Sequence, residues 1–384
     1  MSPGLALLVE RIGPYHHARL SALAGRLGSD RLRVIEVAST SSRYAWAVQA
    51  TSAAFSVSTL FSSADYAELG WRRIARTVHA QLDALSPECV AINGWGFAEA
   101  LVALRWARTR RRGVVLMSDS QERDAPRSWL KELIKSLFVR RCHAALVAGS
   151  RAAEYVERLG MGAERVVQGY DVVDNPYFVE GAARARQDAV RLRAKLGLPE
   201  RYFLCAARFI PKKGLKDLLR AYAEYRRRAD GVAWELVLMG DGPLRGELCA
   251  LAEQLGIREH VKLPGFVQYP ELPAYYGLAL AFVLPSTSDQ WGLVVNEAMA
   301  SGLPVLVSRA CGCEPDLVVN GVTGYGFEPG DVNALADLLL RLASQDLAKM
   351  GESAQRHISR WTPHTFAENM QRAMHLALSA SGQT

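Results

Sequence analysis

Short runs of apolar residues alternate with stretches of helical periodicity along the whole chain. Each run is bounded by polar or turn-forming residues, and apolar residues spaced three or four apart follow it, as in a strand followed by a covering helix. In the first half the predicted strands are LALLVE (5–10), RLRVIEVA (31–38), CVAIN (89–93), GVVLMS (113–118) and AALVAGS (144–150). In the second half they are YFLCAAR (202–208), WELVLMG (234–240), HVKLPG (260–265), LALAFVLPS (278–286) and LPVLVS (303–308). The repetition predicts an α/β protein with two doubly wound parallel sheets.

The pattern is interrupted between the two series of strands. There Pro176 and Gly181 precede an Arg- and Ala-rich helical stretch that no strand follows. We therefore predict a Rossmann-like domain over 1–170, a linker over 171–195 and a second Rossmann-like domain over 196–361. The 384 residues are enough for two domains of ordinary size.

Net charge and cysteine content limit the kinds of binding partner and the cellular compartment that we expect. Lys and Arg total 46 and Asp and Glu 39, a net charge of +7. This surplus is smaller than nucleic-acid-binding proteins usually carry, so we expect no nucleic-acid partner and keep anionic small molecules as candidates. Six cysteines lie mostly inside apolar runs, and the first apolar run ends at Glu10, too early for a signal peptide or a membrane span. We expect a reduced, cytoplasmic protein.

The segment VLPSTSDQWGLVVNEAMASGLPVLVS (283–308) contains the strongest candidate chemistry. A predicted strand is followed by a polar loop and by a helix that starts after Gly292. A helix start at the carboxyl end of a parallel strand suits phosphate, because its amide groups and positive dipole end face the ligand. Asp289 and Glu297, eight residues apart, suit the hydroxyls of an extended ligand. Taken alone, the same two residues also fit a capping Asp and a solvated helix Glu.

A second group of charges follows the first strand of the same half. Arg208 lies at the strand end, and Lys213 stands just before Gly214, which opens the next helix. Two cations separated by a short turn suit a diphosphate, since a guanidinium binds two oxygens and an ammonium acts as a point charge. A solvated basic turn is the alternative, and the acidic segment in the same half favours the ligand site.

Four motifs occur in a fixed order over about 200–330. They are the R-x4-K spacing of Arg208 and Lys213, GDGPL (240–244), PGFV (264–267), and GLVVNEAMASGLPVLVS preceded by Asp289. Together they resemble the retaining nucleotide-sugar glycosyltransferases of family 4. The resemblance implies a GT-B fold, in which an acceptor-binding and a donor-binding Rossmann-like domain face a central cleft. It also implies that the helix of 362–384 returns to the first domain.

The resemblance assigns roles to the residues of the second half. Arg208 and Lys213 would neutralise the donor diphosphate, and Asp289 would bind the transferred sugar in place of the family's usual Glu. The other implied donor contacts are Phe266 and Val267 against the base, Glu297 on the ribose, the backbone amides of Gly292, Leu293 and Val294, and Gly240 of the turn GDGPL. Trp291 stands where the family often has Phe, and either contacts the donor or fills the loop.

In the first half, RIGPYHHARL follows the first strand and begins a helix. By the resemblance this loop borders the cleft, so we predict that His16 acts near the reacting sugar and that His17 and Arg19 bind the acceptor. A surface or capping histidine is the alternative. Gly13 is a candidate donor contact, although the family commonly has two glycines in this loop.

Two later loops of the first half complete the predicted acceptor site. Asp119 follows the strand GVVLMS, in the place where relatives often present a histidine, so it is a candidate for proton transfer or acceptor orientation. A cap for a helix starting near Arg127 is the alternative. Trp95 in NGWGFAEA is a further candidate acceptor contact.

The implied reaction is retaining transfer of a sugar from a nucleoside-diphosphate sugar, UDP- or GDP-linked, to a hydroxyl of a glycan, glycolipid or small metabolite. Cations and the helix terminus would stabilise the charge that develops on the leaving diphosphate, so neither metal nor cofactor is expected. No D-x-D motif is present. The alternatives are an inactive nucleotide-sugar-binding protein of the same fold and, less favoured, a dinucleotide-dependent dehydrogenase, since NGWGFAEA lacks the third glycine.

Two basic stretches of the first half lie outside these motifs, RWARTRRRG (105–113) and WLKELIKSLFVRR (129–141). The second has an apolar face formed by Leu130, Leu133, Ile134, Leu137 and Phe138. We expect this face to cover a sheet. The alternative is weak peripheral contact with the anionic inner face of the plasma membrane.

Overall fold

The computed structural model describes residues 4–40, 54–124, 127–231 and 233–382. The chain divides into two compact units. Unit 1 comprises Met1–Val173 and Trp361–Thr384, and unit 2 comprises Asp174–Arg360.

Unit 1 contains a seven-stranded parallel sheet with the order β3-β2-β1-β4-β5-β6-β7. Its strands are β1 (Leu5–Val9), β2 (Leu32–Thr40), β3 (Ser56–Asp65), β4 (Cys89–Asn93), β5 (Gly113–Ser118), β6 (Ala144–Val147) and β7 (Val166–Gln168). The central strands β1, β5 and β6 are buried along their whole length. This burial explains their continuous apolar sequence, because helices cover both faces of a parallel sheet.

Unit 2 contains a six-stranded parallel sheet with the order β10-β9-β8-β11-β12-β13. Its strands are β8 (Tyr202–Ala206), β9 (Glu235–Met239), β10 (Val261–Gly265), β11 (Ala281–Leu284), β12 (Val305–Ser308) and β13 (Gly324–Phe327). The prediction of an α/β protein with two parallel sheets is confirmed.

Fifteen α-helices surround the two sheets in the described part of the chain. They are α1 (Pro14–Leu27), α2 (Trp71–Leu85), α3 (Ala98–Thr109), α4 (Trp129–Val139), α5 (Ser150–Arg158), α6 (Asn175–Gln187), α7 (Ala189–Leu196), α8 (Leu215–Arg228), α9 (Arg245–Gln254), α10 (Leu272–Leu278), α11 (Leu293–Ala300), α12 (Glu314–Leu317), α13 (Val332–Ala343), α14 (Ala348–Ile358) and α15 (Pro363–Ser381). None of the helices within these described ranges is both long and apolar enough to cross a membrane.

Helix α15 belongs to unit 1, although it follows unit 2 in the chain. Thr362 caps its first turn by accepting a hydrogen bond from the Thr365 amide, and Pro363 occupies the position where a missing N–H costs nothing. The side chains of Phe366 and Met370 join the apolar cluster formed by the strands of unit 1. This helix occupies the range that the resemblance returns to the first domain.

Most of the segment 171–195, predicted as a linker, is helical, and from Asp174 onward it belongs to unit 2. Pro176 lies in the first turn of α6, after the N-cap Asp174, so it starts a helix. A Cβ at Gly181 would lie 2.5 Å from Cβ of Pro273 on α10. The glycine that suggested a break is therefore a point of close helix–helix packing.

The expectation that the apolar face of α4 covers a sheet is wrong for most of that face. Phe138 is buried, whereas Leu130, Leu133, Ile134 and Leu137 are exposed. The hydrophobic pattern predicts an amphipathic helix correctly, but the neighbouring elements decide which side is covered.

Candidate active site

The predicted donor residues of unit 2 lie in the loops that follow β8, β9, β10 and β11 and in helix α11. The carboxyl ends of parallel strands meet at one edge of a sheet, where α/β proteins bind ligands. Backbone hydrogen bonds join the four loops, with N···O distances of 2.8 Å from Phe209 to Asp241, from Gly240 to Gly265 and from Thr287 to Lys212. The structure thus brings the motifs of the sequence together into one surface of unit 2.

Two glycines permit these loops to approach so closely. Gly214 has φ 64°, and a Cβ there would lie 2.0 Å from the carbonyl oxygen of Pro285. Gly240 has φ 135°, and a Cβ there would lie 1.9 Å from the carbonyl oxygen of Ala207. Neither contact leaves room for a side chain, so both positions require glycine.

Lys213 and Asp289 form an ion pair across the loops that follow β8 and β11. Lys213 Nζ lies 2.5 Å from Asp289 Oδ2, and each side chain is 13% exposed. The Ser286 hydroxyl donates a 3.3 Å hydrogen bond to the same carboxylate oxygen. The structure therefore joins two residues to which the sequence assigned separate parts of a donor. Arg208 lies on the turn that carries Lys213, and its side chain is exposed.

The helix start predicted after Gly292 is α11. Gly292 has φ 106°, a left-handed conformation that turns the chain into the helix, and a Cβ there would lie 2.9 Å from Leu284 Cδ2. The first amides of the helix, including those of Leu293 and Val294, have no carbonyl partner within the helix. Together with the helix dipole they give this end of the site a partial positive charge.

Glu297 is buried on α11, with 1% of its surface exposed. The Tyr276 hydroxyl donates a 2.6 Å hydrogen bond to Glu297 Oε2. The alternative of a solvated helix glutamate is therefore wrong. The two acids of the segment differ in environment, since Asp289 is paired with a cation and partly exposed, whereas Glu297 is buried and hydrogen-bonded to a tyrosine.

The aromatic and apolar candidates divide into exposed and buried residues. Trp291 is buried, and its indole N–H donates a 2.9 Å hydrogen bond to Asn296 Oδ1. This environment matches the loop-filling alternative. After β10, Phe266 is 39% exposed whereas Val267 is buried. Only Phe266 of these three presents a large surface to a ligand.

The loop after β12 supports the site and was not identified from the sequence. A Cβ at Gly312 would lie 1.8 Å from the carbonyl oxygen of Gln290, and the Gly312 amide donates to the Asp289 carbonyl at 3.0 Å. Burial raises the pKa of the Cys313 thiol well above its usual range, so this cysteine is neither a nucleophile nor a ready metal ligand. The signal available in the sequence was a glycine four residues after a predicted strand.

His16 lies in the first turn of α1 in unit 1. Its Nδ1 accepts a 3.2 Å hydrogen bond from the Gly13 amide. Burial and, to a lesser extent, the charge of Arg19 lower the pKa of His16 to about 3. The ring is therefore neutral at neutral pH, and it caps the helix through one nitrogen, as the capping alternative expected.

The predicted acceptor role of Arg19 does not fit its environment. Its side chain is buried, and Nη1 donates to the Tyr170 carbonyl at 3.0 Å and lies 3.4 Å from Asp171 Oδ1. The guanidinium carbon also lies 4.9 Å from the centre of the Tyr170 ring. Arg19 thus joins α1 to the chain that follows β7. His17, next to it in the sequence, is half-buried against Phe55.

Asp119 and Trp95 lie in the loops after β5 and β4. Helix α4 begins at Trp129 with Ser128 as its N-cap, so Asp119 does not cap this helix. Asp119 is half-buried. The Trp95 ring packs edge-on against Tyr155 with 5.9 Å between the ring centres. Both positions keep part of their surface available at the carboxyl edge of the unit 1 sheet.

A buried carboxyl group at the same edge was not predicted. Glu99, in the first turn of α3, is fully buried and accepts hydrogen bonds from Tyr66 Oη at 2.8 Å and Asn93 Nδ2 at 3.1 Å. Burial raises the pKa of Glu99. From the sequence, Glu99 was noted only because it stands at the third glycine position of a dinucleotide-binding motif, not as a site residue.

Comparison with known proteins shows which class of protein this chain resembles. Residues 188–357 match the family model "Glycosyl transferases group 1". The "GDP-mannose-dependent alpha-(1-6)-phosphatidylinositol monomannoside mannosyltransferase" of Mycolicibacterium smegmatis is 35% identical over 153 residues, which cover 38% of this chain and 39% of that protein. The match therefore spans less than half of the relative.

Two solved structures resemble nearly the whole chain. Sucrose-phosphate synthase from Thermosynechococcus elongatus has a TM-score of 0.77 and 19% identity, covering 99% of this chain and 100% of that one. Anabaena HepE in complex with UDP has a TM-score of 0.73 and 19% identity, covering 97% and 99%. The chain has the GT-B fold, and its residues 188–357 match the group 1 glycosyltransferase family. The resemblance predicted from the sequence is confirmed.

Proposed function

We propose that the protein is a retaining, metal-independent glycosyltransferase that moves a sugar from a nucleoside-diphosphate sugar to an acceptor hydroxyl. The observation that carries the proposal is the Lys213–Asp289 ion pair, held by Gly214 beside the start of α11. This arrangement puts a cation, free amide groups and a carboxylate within one surface. Those are the groups needed to bind a diphosphate and a sugar at adjacent points.

The diphosphate would bind between the basic turn and the start of α11. Arg208 would bind phosphate oxygens through two N–H groups, and Lys213 would donate to them while keeping one hydrogen bond to Asp289. As the glycosidic bond breaks, negative charge accumulates on the leaving diphosphate. Fixed positive groups aimed there stabilise the transition state more than the ground state, and this supplies the role that a metal has in other transferases.

The two carboxylates would bind hydroxyls of the donor. Asp289 accepts from the transferred sugar, and its pairing with Lys213 fixes the orientation of the carboxylate. Glu297 would accept from the ribose, and the hydrogen bond from Tyr276 holds its carboxylate in place. Phe266, exposed after β10, would stack on the base.

The acceptor would bind to unit 1, by analogy with the family. In same-face substitution the departing phosphate helps to remove the proton of the acceptor hydroxyl, so no protein nucleophile is needed. Asp119 would orient that hydroxyl, and neutral His16 can donate through Nε2 because Nδ1 is occupied by Gly13. Trp95 would supply a surface for an acceptor ring.

The test combines a donor screen with two variants and a matched control. UDP-, GDP- and ADP-sugars are compared by thermal shift, and the stabilising donor is used in transfer assays with metal and with chelator. We expect Arg208→Ala or Lys213→Ala to lower kcat/KM at least about 100-fold, because each removes a charged contact to the leaving group. Lys212→Ala removes the same charge from the neighbouring position and is expected to stay within about threefold of wild type.

Near wild-type turnover in Lys213→Ala or Arg208→Ala would overturn the assignment of the donor site. Loss of activity on chelation would overturn metal independence, and inversion at the anomeric carbon, read by NMR of the product, would overturn retention. Donor binding without turnover on any acceptor would favour the alternative of an inactive nucleotide-sugar-binding protein.

A further inference from the structure

Helix α4 presents an apolar face to solvent. Of the eleven large apolar side chains that are exposed in the described ranges, five lie on this one helix, so the exposure is concentrated. They are Trp129, Leu130, Leu133, Ile134 and Leu137. Trp129 is 79% exposed and Ile134 60%, and the spacing of the five side chains aligns them along one side of the helix. A contiguous patch of this kind marks an interaction site.

The opposite side of α4 is firmly packed, so the exposed face does not result from a detached helix. Phe138 and Val139 are buried, and the Ser136 hydroxyl donates to the Leu159 carbonyl at 2.7 Å. Glu132 lies on this side and accepts hydrogen bonds of 2.8 Å from both Lys135 Nζ and Tyr155 Oη. The only acidic residue of the segment is thereby held away from the apolar face.

The charges around the face identify its partner. Residues 129–141 carry four basic residues and one acidic residue, a net charge of +3. Lys131, Arg140 and Arg141 are exposed. Apolar side chains beside exposed cations suit the boundary between acyl chains and anionic headgroups, where Trp is also favoured. A second copy of the chain would bring the same cations against each other, which disfavours a symmetric dimer through this face.

We propose that α4 docks the protein on the surface of an anionic bilayer. The helix lies in the plane of the membrane with its five apolar side chains between the headgroups, and Lys131, Arg140 and Arg141 contact lipid phosphates. On the packed side, Lys135 Nζ lies 5.9 Å from the centre of the Trp95 ring. Docking therefore holds the Trp95 loop near the headgroups, a position suited to an amphiphilic acceptor; this last point alone rests on the proposed function.

The test is co-sedimentation of the full chain with vesicles of phosphatidylcholine alone or with one-third phosphatidylglycerol, at low and high salt and without donor. We expect binding only to the anionic vesicles, and weaker binding at high salt. Ile134→Asp should lower the partition coefficient about tenfold or more, because a carboxylate enters the apolar boundary. The double variant Lys131→Ala/Arg141→Ala should lower the partition coefficient about fivefold for each charge removed. Val190→Asp, at an exposed valine on α7, is the matched control and should bind like wild type.

Circular dichroism and thermal unfolding establish that each variant is folded. Absence of wild-type binding to anionic vesicles, or equal loss in the Ile134→Asp and Val190→Asp variants, would overturn the proposal. A wild-type dimer that Ile134→Asp dissociates in sedimentation velocity would do the same, since the face would then belong to a second copy. Vesicle binding needs neither donor nor turnover, so its failure leaves the transfer proposal intact, and failure of transfer leaves vesicle binding intact.

Discussion

The Lys213–Asp289 ion pair shows how single residues in this protein depend on one another. With side chains only 13% exposed, the two charges are screened by solvent less than a surface pair, and each offsets the cost of desolvating the other. A diphosphate that binds Lys213 must do so beside the carboxylate of Asp289. In the proposed donor complex, Asp289 would accept hydrogen bonds from the sugar and would repel the phosphate.

This competition predicts opposite effects of Asp289→Asn on two ligands. Removing the carboxylate charge should tighten the binding of the free nucleoside diphosphate by about two- to fivefold, since about 1 kcal/mol of repulsion is relieved. Binding and turnover of the complete donor should fall, because the sugar loses its acceptor group. Isothermal titration with the two ligands measures both effects. Weaker binding of the diphosphate in Asp289→Asn would contradict the interpretation, and Asp289→Glu, which keeps the charge, is the control.

At the scale of elements, the site depends on the contact between the turn after β8 and the loop after β11. Gly214 has φ 64° and lies against the carbonyl oxygen of Pro285. The turn also receives hydrogen bonds from the loop, with both the amide and the hydroxyl of Thr287 donating to the Lys212 carbonyl. Both loops are therefore positioned by backbone contacts.

We expect Gly214→Ala to destabilise unit 2 by about 2–4 kcal/mol, because the methyl group meets a carbonyl oxygen and the left-handed conformation adds about 1 kcal/mol. Donor binding should be lost along with this stability. Gly246→Ala is the control, since Gly246 lies within α9 and no atom is within 4 Å of its added Cβ. That change should stabilise by about 0.4–1 kcal/mol. Urea denaturation with and without donor measures both, and an unchanged midpoint in Gly214→Ala would contradict the packing argument.

Three strands were not predicted from the sequence, which shows that the hydrophobic pattern does not mark every strand. β3, β7 and β13 lie at the edges of the two sheets. β3 is only partly buried and its sequence, SVSTLFSSAD, lacks the continuous apolar run of a central strand. β7 has three residues and β13 has two glycines among four. Edge strands need less burial, so their hydrophobic signal is weak.

At the scale of the whole molecule, the chain leaves unit 1, forms unit 2 and returns. Helix α15 places Phe366 in the core of unit 1, where it is 2% exposed. The stability of unit 1 thus depends on residues that follow unit 2 in the chain. Unit 1 is therefore built from two separate segments of the sequence, whereas unit 2 is one continuous segment.

We expect Phe366→Ala to destabilise unit 1 by about 3–5 kcal/mol, the usual cost of such a cavity. Amide hydrogen exchange should then accelerate in the strands of unit 1, while peptides from the core of unit 2 and nucleoside-diphosphate binding stay close to wild type. The exposed Val190→Asp variant serves as the reference. Equal acceleration in both units would show that they unfold as one cooperative body.

The fold class and the main candidate donor-binding residues can be predicted from the sequence alone, because the signals that mark them are local in the chain. Central strands of a parallel sheet are buried on both faces, so they are visible as apolar runs, and the residues after them must meet at one edge. This rule alone was enough to group Arg208, Lys213 and Asp289 into one site. The family match over residues 188–357 agrees with that grouping.

Only the tertiary structure decided how each of these residues is used. Arg19 looks like a ligand-binding residue beside a helix start, but Tyr170 and Asp171, about 150 positions away, enclose it. Glu297 is buried because Tyr276 reaches it from α10, and the apolar face of α4 is exposed because no neighbouring element covers it within the described ranges. Periodicity reports which side of an element is apolar, whereas burial and pairing depend on partners distant in the chain, which only folding brings into contact.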